Sequence, residues 1–231
     1  MDHLQAGRSW LSEAENRLRD ADSNQPGSVK TALATSEHHF NHAIAMFARS
    51  CEIEFQLIGF IRRAGLWRVC VLVCGLSNDN RRAEMVTHHR MIAESDLERA
   101  EVIAKKSLML IWQIEAALER ARLFLTLAQI EEGNRRDSQM DADHSDSDPR
   151  LSASISGSSS TKPATNYREQ AQQKLDEAKT LIKQTEKPYV PHVPDWNEWK
   201  PPEYVGVFKA GDIVGYHCRN GEIERLQKLL G

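Results

Sequence analysis

The sequence predicts an all-α chain of antiparallel helix hairpins, and three observations predict it. Apolar residues recur at three- and four-residue intervals along most of the chain, the period of a helix with one buried face. Gly, Pro, Ser and Asn gather in short stretches between those runs, where turns are expected. Three runs share small side chains at matching offsets: Ala43-x3-Phe47-x2-Ser50, Ala100-x3-Ala104-x2-Ser107 and Ala171-x3-Leu175-x2-Ala178.

The first helix is expected over residues 3 to 22, with Leu4, Leu11, Ala14, Leu18 and Ala21 on one stripe and Arg and Glu opposite. Pro26 and Gly27 lie in the turn-rich stretch from Asp22 to Ser28 that ends it. The second helix starts near Val29 or Thr35 and runs to about Ile53, with Phe40, Ala43, Phe47 and Ser50 inward. A third covers Glu52 to Ala64 and is broken or bent at Gly65. Residues 66 to 76 contain the β-branched run Val69 to Val73, which suits a buried strand as well as a helix; the helical neighbours favour helix. Ser77 to Asn80 reads as a turn, and a helix from Arg81 to Ile92 follows. Ser95 and Glu98 have the spacing of a capping box, opening a helix with Leu97, Ala100, Ala104, Leu108 and Ile111 on its stripe. A further stripe, Leu118, Ala121, Leu125 and Ala128, ends at Gly133. No Gly or Pro separates these two stripes; a turn within Trp112 to Glu115 is preferred to a single helix, whose length would exceed the usual range.

Residues 137 to 166 change character. Asp137 to Asp148 is acidic, and Ser, Gly, Pro and Thr dominate from Ser152 to Thr165. So little apolar surface cannot offset the entropy of ordering, so a disordered insert is expected. Helix returns behind an Asn166–Glu169 cap, with Tyr167, Ala171, Leu175, Ala178 and Ile182 on one face. Pro188, Pro191, Pro194, Pro201 and Pro202 forbid a regular helix. Tyr204–Phe208 and Asp212–Tyr216 flank Lys209-Ala-Gly211 as a small β-hairpin, and a short helix from Glu222 to Leu230 closes the chain. The expected organisation is therefore helical hairpins over 1–136, the acidic and Ser-rich insert over 137–166, and over 167–231 a last repeat helix, a Pro/Trp-rich insert (186–214) and a closing helix.

Composition narrows the function classes. A chain of 231 residues with 40% apolar and 27% charged side chains can bury a core without metal or disulfide staples. Its formal net charge of -3 gives no global footprint for nucleic acid. The longest apolar run, Val69 to Leu76, is far short of the twenty or so residues that span a bilayer, and the N-terminus lacks a signal-peptide pattern, so neither membrane nor secretion is expected. Cys70 and Cys74 are read as two buried thiols on one helix face. With Cys51 and Cys218 they form no CxxC pair, which suits a reducing cytoplasm.

Candidate chemistry is thin. His38 and His42 share a helix face at a zinc-compatible spacing, but Glu37 precedes His38 rather than following it, so the metalloprotease pattern is not met. Exposed polar histidines are expected there and at His88 and His89, with no metal. Arg62, Arg63 and Arg68, and likewise Arg81, Arg82 and Arg90, read as solvated faces. Tyr216 is expected to pack against the preceding helix, while His217 and Arg219 cap its carbonyls. No nucleotide-binding Gly-x4-Gly-Lys-Ser/Thr loop, catalytic triad or paired carboxylate set occurs, so no cofactor and no enzyme activity are expected. Trp196 and Trp199, with Tyr204 and Phe208 beyond them, are the candidate partner-binding residues. Their proline-stiffened arm either recognises another protein or seals the last hairpin, and the two readings are compatible if one face stays open.

The three small-residue patterns resemble the second helix of a tetratricopeptide (TPR) unit, where small side chains let paired helices approach. Their intervals are 57 and 71 residues rather than the family's period of about 34, and the Trp, Leu-Gly and Tyr hallmarks of the first helix are missing. Removing 137–166 as an insertion brings the second interval to about 41 residues, near one repeat; the first would hold roughly one and a half. Leu175 to Thr185, followed by Gly215-Tyr-His-Cys-Arg-Asn-Gly-Glu-Ile-Glu-Arg-Leu226, is similar to the repeat endings of bacterial STAND-type signalling ATPases, here without the ATPase part. The resemblance implies a short TPR-like solenoid whose concave groove, lined by first helices, binds another protein: a scaffold, adaptor or stand-alone sensor piece of a signalling system. The competing expectations are a nucleic-acid-binding regulator and an enzyme of unrecognised type. Self-association is left open.

Overall fold

A computed structural model describes residues 2–19, 26–77, 79–145, 166–185 and 219–230. They form seven helices: α1 (Asp2–Arg19), α2 (Pro26–Ser50), α3 (Ile53–Gly75), α4 (Arg82–Lys106), α5 (Leu110–Ser145), α6 (Tyr167–Thr185) and α7 (residues 219–230). No strand occurs among the described residues, and no helix there is long and apolar enough to cross a membrane.

The helices stack in two layers. Each packs on its chain neighbour from α1 to α6, and α3 also packs on α1 and α5, whereas the backbones of α2, α4 and α6 do not approach one another closely. The odd-numbered helices therefore share one layer and the even-numbered ones the other. A core runs between them. At one end Leu11 and Ala14 of α1 meet Val29, Ala32, Leu33 and Phe40 of α2. At the other, α7 seats Ile223 and Leu226 in a cluster with Leu118, Leu175 and Ile182. Ala43, Ala100 and Ala171, the anchors of the small-residue pattern, are 1%, 0% and 0% exposed. Close approach of the layers also uses glycine. A Cβ on Gly7 would lie 2.8 Å from the Phe40 ring, and the buried Ser36 hydroxyl donates to the Gly7 carbonyl at 2.8 Å.

Two corners are built alike. At the end of α4 the Met109 N–H donates to the Ala104 carbonyl (2.9 Å) and the Leu108 N–H to Lys105 (3.3 Å), while Leu108 is left-handed at φ 54°. At the end of α2 the Glu52 N–H donates to Phe47 (3.0 Å), with Cys51 at φ 59°. Both are Schellman turns carrying a side chain where glycine is usual. Cys51 and Leu108 stand 57 residues apart, the same interval as Ala43 and Ala100. That interval is thus one structural unit of long helices (α2, α3 and α4 have 25, 23 and 25 residues), not one and a half short ones.

Several boundaries differ from expectation. Gly65 does not break α3; it is buried inside an unbroken helix, where packing outweighs the roughly 1 kcal/mol that glycine costs in a helix. Residues 66–75 are helix, as their neighbours suggested. Ser95 caps nothing: α4 runs through it, because Asp96 and Leu97 beside it are buried against α3 and α5 rather than starting a turn. The break between the two later stripes falls at 107–109, and Trp112 to Glu115 lie inside α5. A left-handed leucine leaves no glycine for the eye to find. Residues 137–145, expected to be disordered, continue α5. Residues 146–165 and 186–218 lie outside the described residues, and with them Trp196, Trp199, Tyr204, Phe208, the β-hairpin, Tyr216 and His217. The Asn166 cap is present, its Oδ1 accepting from the Glu169 N–H at 3.2 Å.

Candidate functional site

Helical spacing puts polar and charged residues on one face of each odd-numbered helix. Arg8, Leu11 and Glu15 lie on α1; Ile61, Arg62, Gly65 and Arg68 on α3; Glu119, Arg122, Thr126 and Gln129 on α5; Glu222, Arg225 and Leu229 on α7. Together they line a groove of about 450 Å³ running across all four helices.

A chain of ion pairs forms its floor. Glu15 meets Arg68 at 3.0 Å, Arg68 meets Glu119 at 2.7 Å, Glu119 meets Arg122 at 2.7 Å, Arg122 meets Glu222 at 3.1 Å, and Glu222 meets Arg225 at 2.7 Å. Charge alternates along the whole line, so each inner member is held from both sides. Glu119 is 6% exposed. Burial pushes its carboxyl up, but Arg68 and Arg122 outweigh that and hold it at about 2. Burial likewise opposes the charge on Arg68 and Arg122, and Glu119 overcomes it in both. The Arg225 hydrogen bond lowers Glu222. Gly65 leaves the room this needs: a Cβ there would sit 3.3 Å from Glu119 Oε1.

Two arginines stand outside the chain. Among the described residues, neither Arg8 nor Arg62 has a carboxylate within ion-pair distance. Burial lowers the Arg62 guanidinium; Glu115 works against that, and nearby Arg8 adds to it. The lining thus holds five arginines (8, 62, 68, 122 and 225) against three glutamates (15, 119 and 222).

The expected solvated Arg62–Arg68 face is therefore corrected. Arg63 forks onto buried Asp96 at 2.7 and 2.6 Å and reaches Asn41 at 2.6 Å, tying α2, α3 and α4 together. Arg68 belongs to the groove floor. Of the second arginine set, Arg90 bonds Glu94 at 2.9 Å and the Tyr167 hydroxyl at 2.7 Å. Arg219 pairs with Glu115 at 2.7 Å. The histidines cluster more than expected, since His3 from α1 joins them: its Nδ1 is 3.0 Å from that of His39, and its ring centroid 4.1 Å from that of His42. His39 is only half-exposed; His38 and His42 are exposed. Among the described residues no three His, Cys, Asp or Glu side chains are grouped to hold a metal ion. Cys70 and Cys74 are free, half-buried thiols, and burial pushes Cys70 up to about 12.

The groove was missed in the sequence because its logic lies between helices. The i, i+3, i+7 spacing of Glu119, Arg122 and Thr126 is legible; which helix supplies each counter-charge is not. No family model, curated protein or solved structure matches the chain.

Proposed function

We propose that the chain is a TPR-like scaffold that binds another protein through the groove of its odd-numbered helices. The observation that carries this is the groove itself. It crosses four helices, is rimmed by Leu11, Ile61, Leu125, Leu226 and Leu229, and holds more arginine than its glutamates neutralise. Layered helix stacks present extended surfaces suited to a peptide segment or helix of a partner.

Binding fits the site's chemistry better than catalysis. A general base works best near the operating pH, and Glu119, held at about 2, is bonded to two arginines rather than poised to move a proton. The groove also suits a nucleic acid poorly, since Glu15, Glu119 and Glu222 interrupt the arginines and repel a run of phosphates. Adaptor work in a signalling system follows from the resemblance to signalling repeat arrays.

The test is photo-crosslinking in the native cell. A photoreactive residue replaces exposed Gln129 in the groove or exposed Gln173 on α6 in the even layer. A distinct protein band from position 129 and none from 173 is expected. Equal labelling from both, or none from 129, contradicts the reading.

A further inference from the structure

We infer that the segment entering this groove is acidic, and that one of its carboxylates seats between Arg8 and Arg62. The inference rests on the groove being the binding surface and adds the chemistry of what it binds.

Every other arginine of the lining is matched to a glutamate, at 2.7 to 3.1 Å. Arg8 on α1 and Arg62 on α3 line the same groove without an ion-pair partner among the described residues; Arg8 adds like charge near Arg62, while Glu115 works the other way. Arg62 is also half-buried, so its charge is poorly served by water. Bringing two guanidinium groups together at a partly desolvated place raises the free energy of the empty groove. A carboxylate between them relieves both terms, with each arginine donating to it in the charge-assisted manner that gives strong hydrogen bonds.

The ligand's remaining character follows from the rest of the lining. A dense polyanion would meet Glu15 and Glu119 beside Arg68 and be repelled. A peptide can place a single Asp or Glu at the Arg8–Arg62 pair and an apolar side chain on Leu229, the half-exposed leucine of the lining. The expected partner sequence is thus an isolated acidic residue with an apolar one nearby.

The experiment selects a displayed library of random peptides, each about twelve residues, against the whole chain and against its Arg8→Gln and Arg62→Gln variants. Far-UV circular dichroism checks each variant's fold; Arg8 is exposed, so Arg8→Gln keeps the test usable if Arg62→Gln disturbs packing. The unaltered chain is expected to enrich acidic-apolar peptides. A synthesised winner should lose at least about tenfold in affinity with either variant, and again when its acidic residue becomes the amide. Winners should block crosslinking from position 129. Enrichment of peptides without acid that still block position 129 overturns this inference while leaving the groove as the binding surface. Acidic winners that bind both variants equally overturn it as well. No enrichment at all means the groove is filled by the chain's own residues or a second copy, and overturns it too.

Discussion

Replacing Glu119 with glutamine keeps the side chain's shape and removes the charge at the centre of the groove floor. In the native chain this carboxylate accepts from Arg68 at 2.7 Å and from Arg122 at 2.7 Å, at 6% exposure. After substitution Arg68 keeps only Glu15 at 3.0 Å and Arg122 only Glu222 at 3.1 Å, and both are poorly solvated. Breaking a buried pair while leaving its partner charged costs about 3 to 5 kcal/mol; the two remaining glutamates place this case at the low end, near ~3 kcal/mol. Linkage gives a matching figure. A carboxyl lowered from 4.5 to about 2 contributes stability that is fully present above 4.5 and is lost as pH falls towards 2, and the displacement corresponds to ~3 kcal/mol. Urea unfolding followed by far-UV circular dichroism at neutral pH and through the acid range measures both. The native chain should lose roughly that much more stability on acidification than Glu119→Gln does. Arg68→Met combined with Glu119→Gln should cost ~1 kcal/mol or more below the sum of the single changes. A Glu119→Gln cost under ~1 kcal/mol, or identical acid slopes for the two proteins, would refute the reasoning.

Leu108 is left-handed and 84% exposed, so Leu108→Gly removes backbone strain without losing packing and should raise stability by ~1 kcal/mol in the same urea assay. Gly75 meets α5 so closely that a Cβ would lie 2.4 Å from Ile130 Cδ1. Gly75→Ala should therefore cost ~2 kcal/mol, and adding Ile130→Val, which deletes that methyl, should recover part of it. With Cys70 pushed up to about 12 and Cys51 exposed, mass spectrometry after mildly alkaline iodoacetamide treatment should find Cys51 alkylated well before Cys70.

The helical class was legible because buried stripes such as Leu118, Ala121, Leu125 and Ala128 keep a helical period whatever they pack against. The alanine anchors at 43, 100 and 171 were legible for the same reason, and all three are buried. Helix ends were less so. Stop signals rely on residues that prefer particular dihedrals, and here Gly65 and Ser95 sit inside helices while a leucine makes a turn. The arginines were misread as a solvated face because charge on an isolated helix carries no information about counter-charges 51 or 53 residues away, as Glu119 and Glu15 are from Arg68.

The arrangement of charges across α1, α3, α5 and α7 underlies the fold's layering and the proposed binding alike. Arginine modification with phenylglyoxal, read site by site by peptide mass spectrometry, tests it most directly. Arg8 and Arg62 should be modified early and Arg68 and Arg122 late, since only the latter are locked between glutamates. Arg68 and Arg122 reacting as fast as Arg8 in the folded chain would contradict the account.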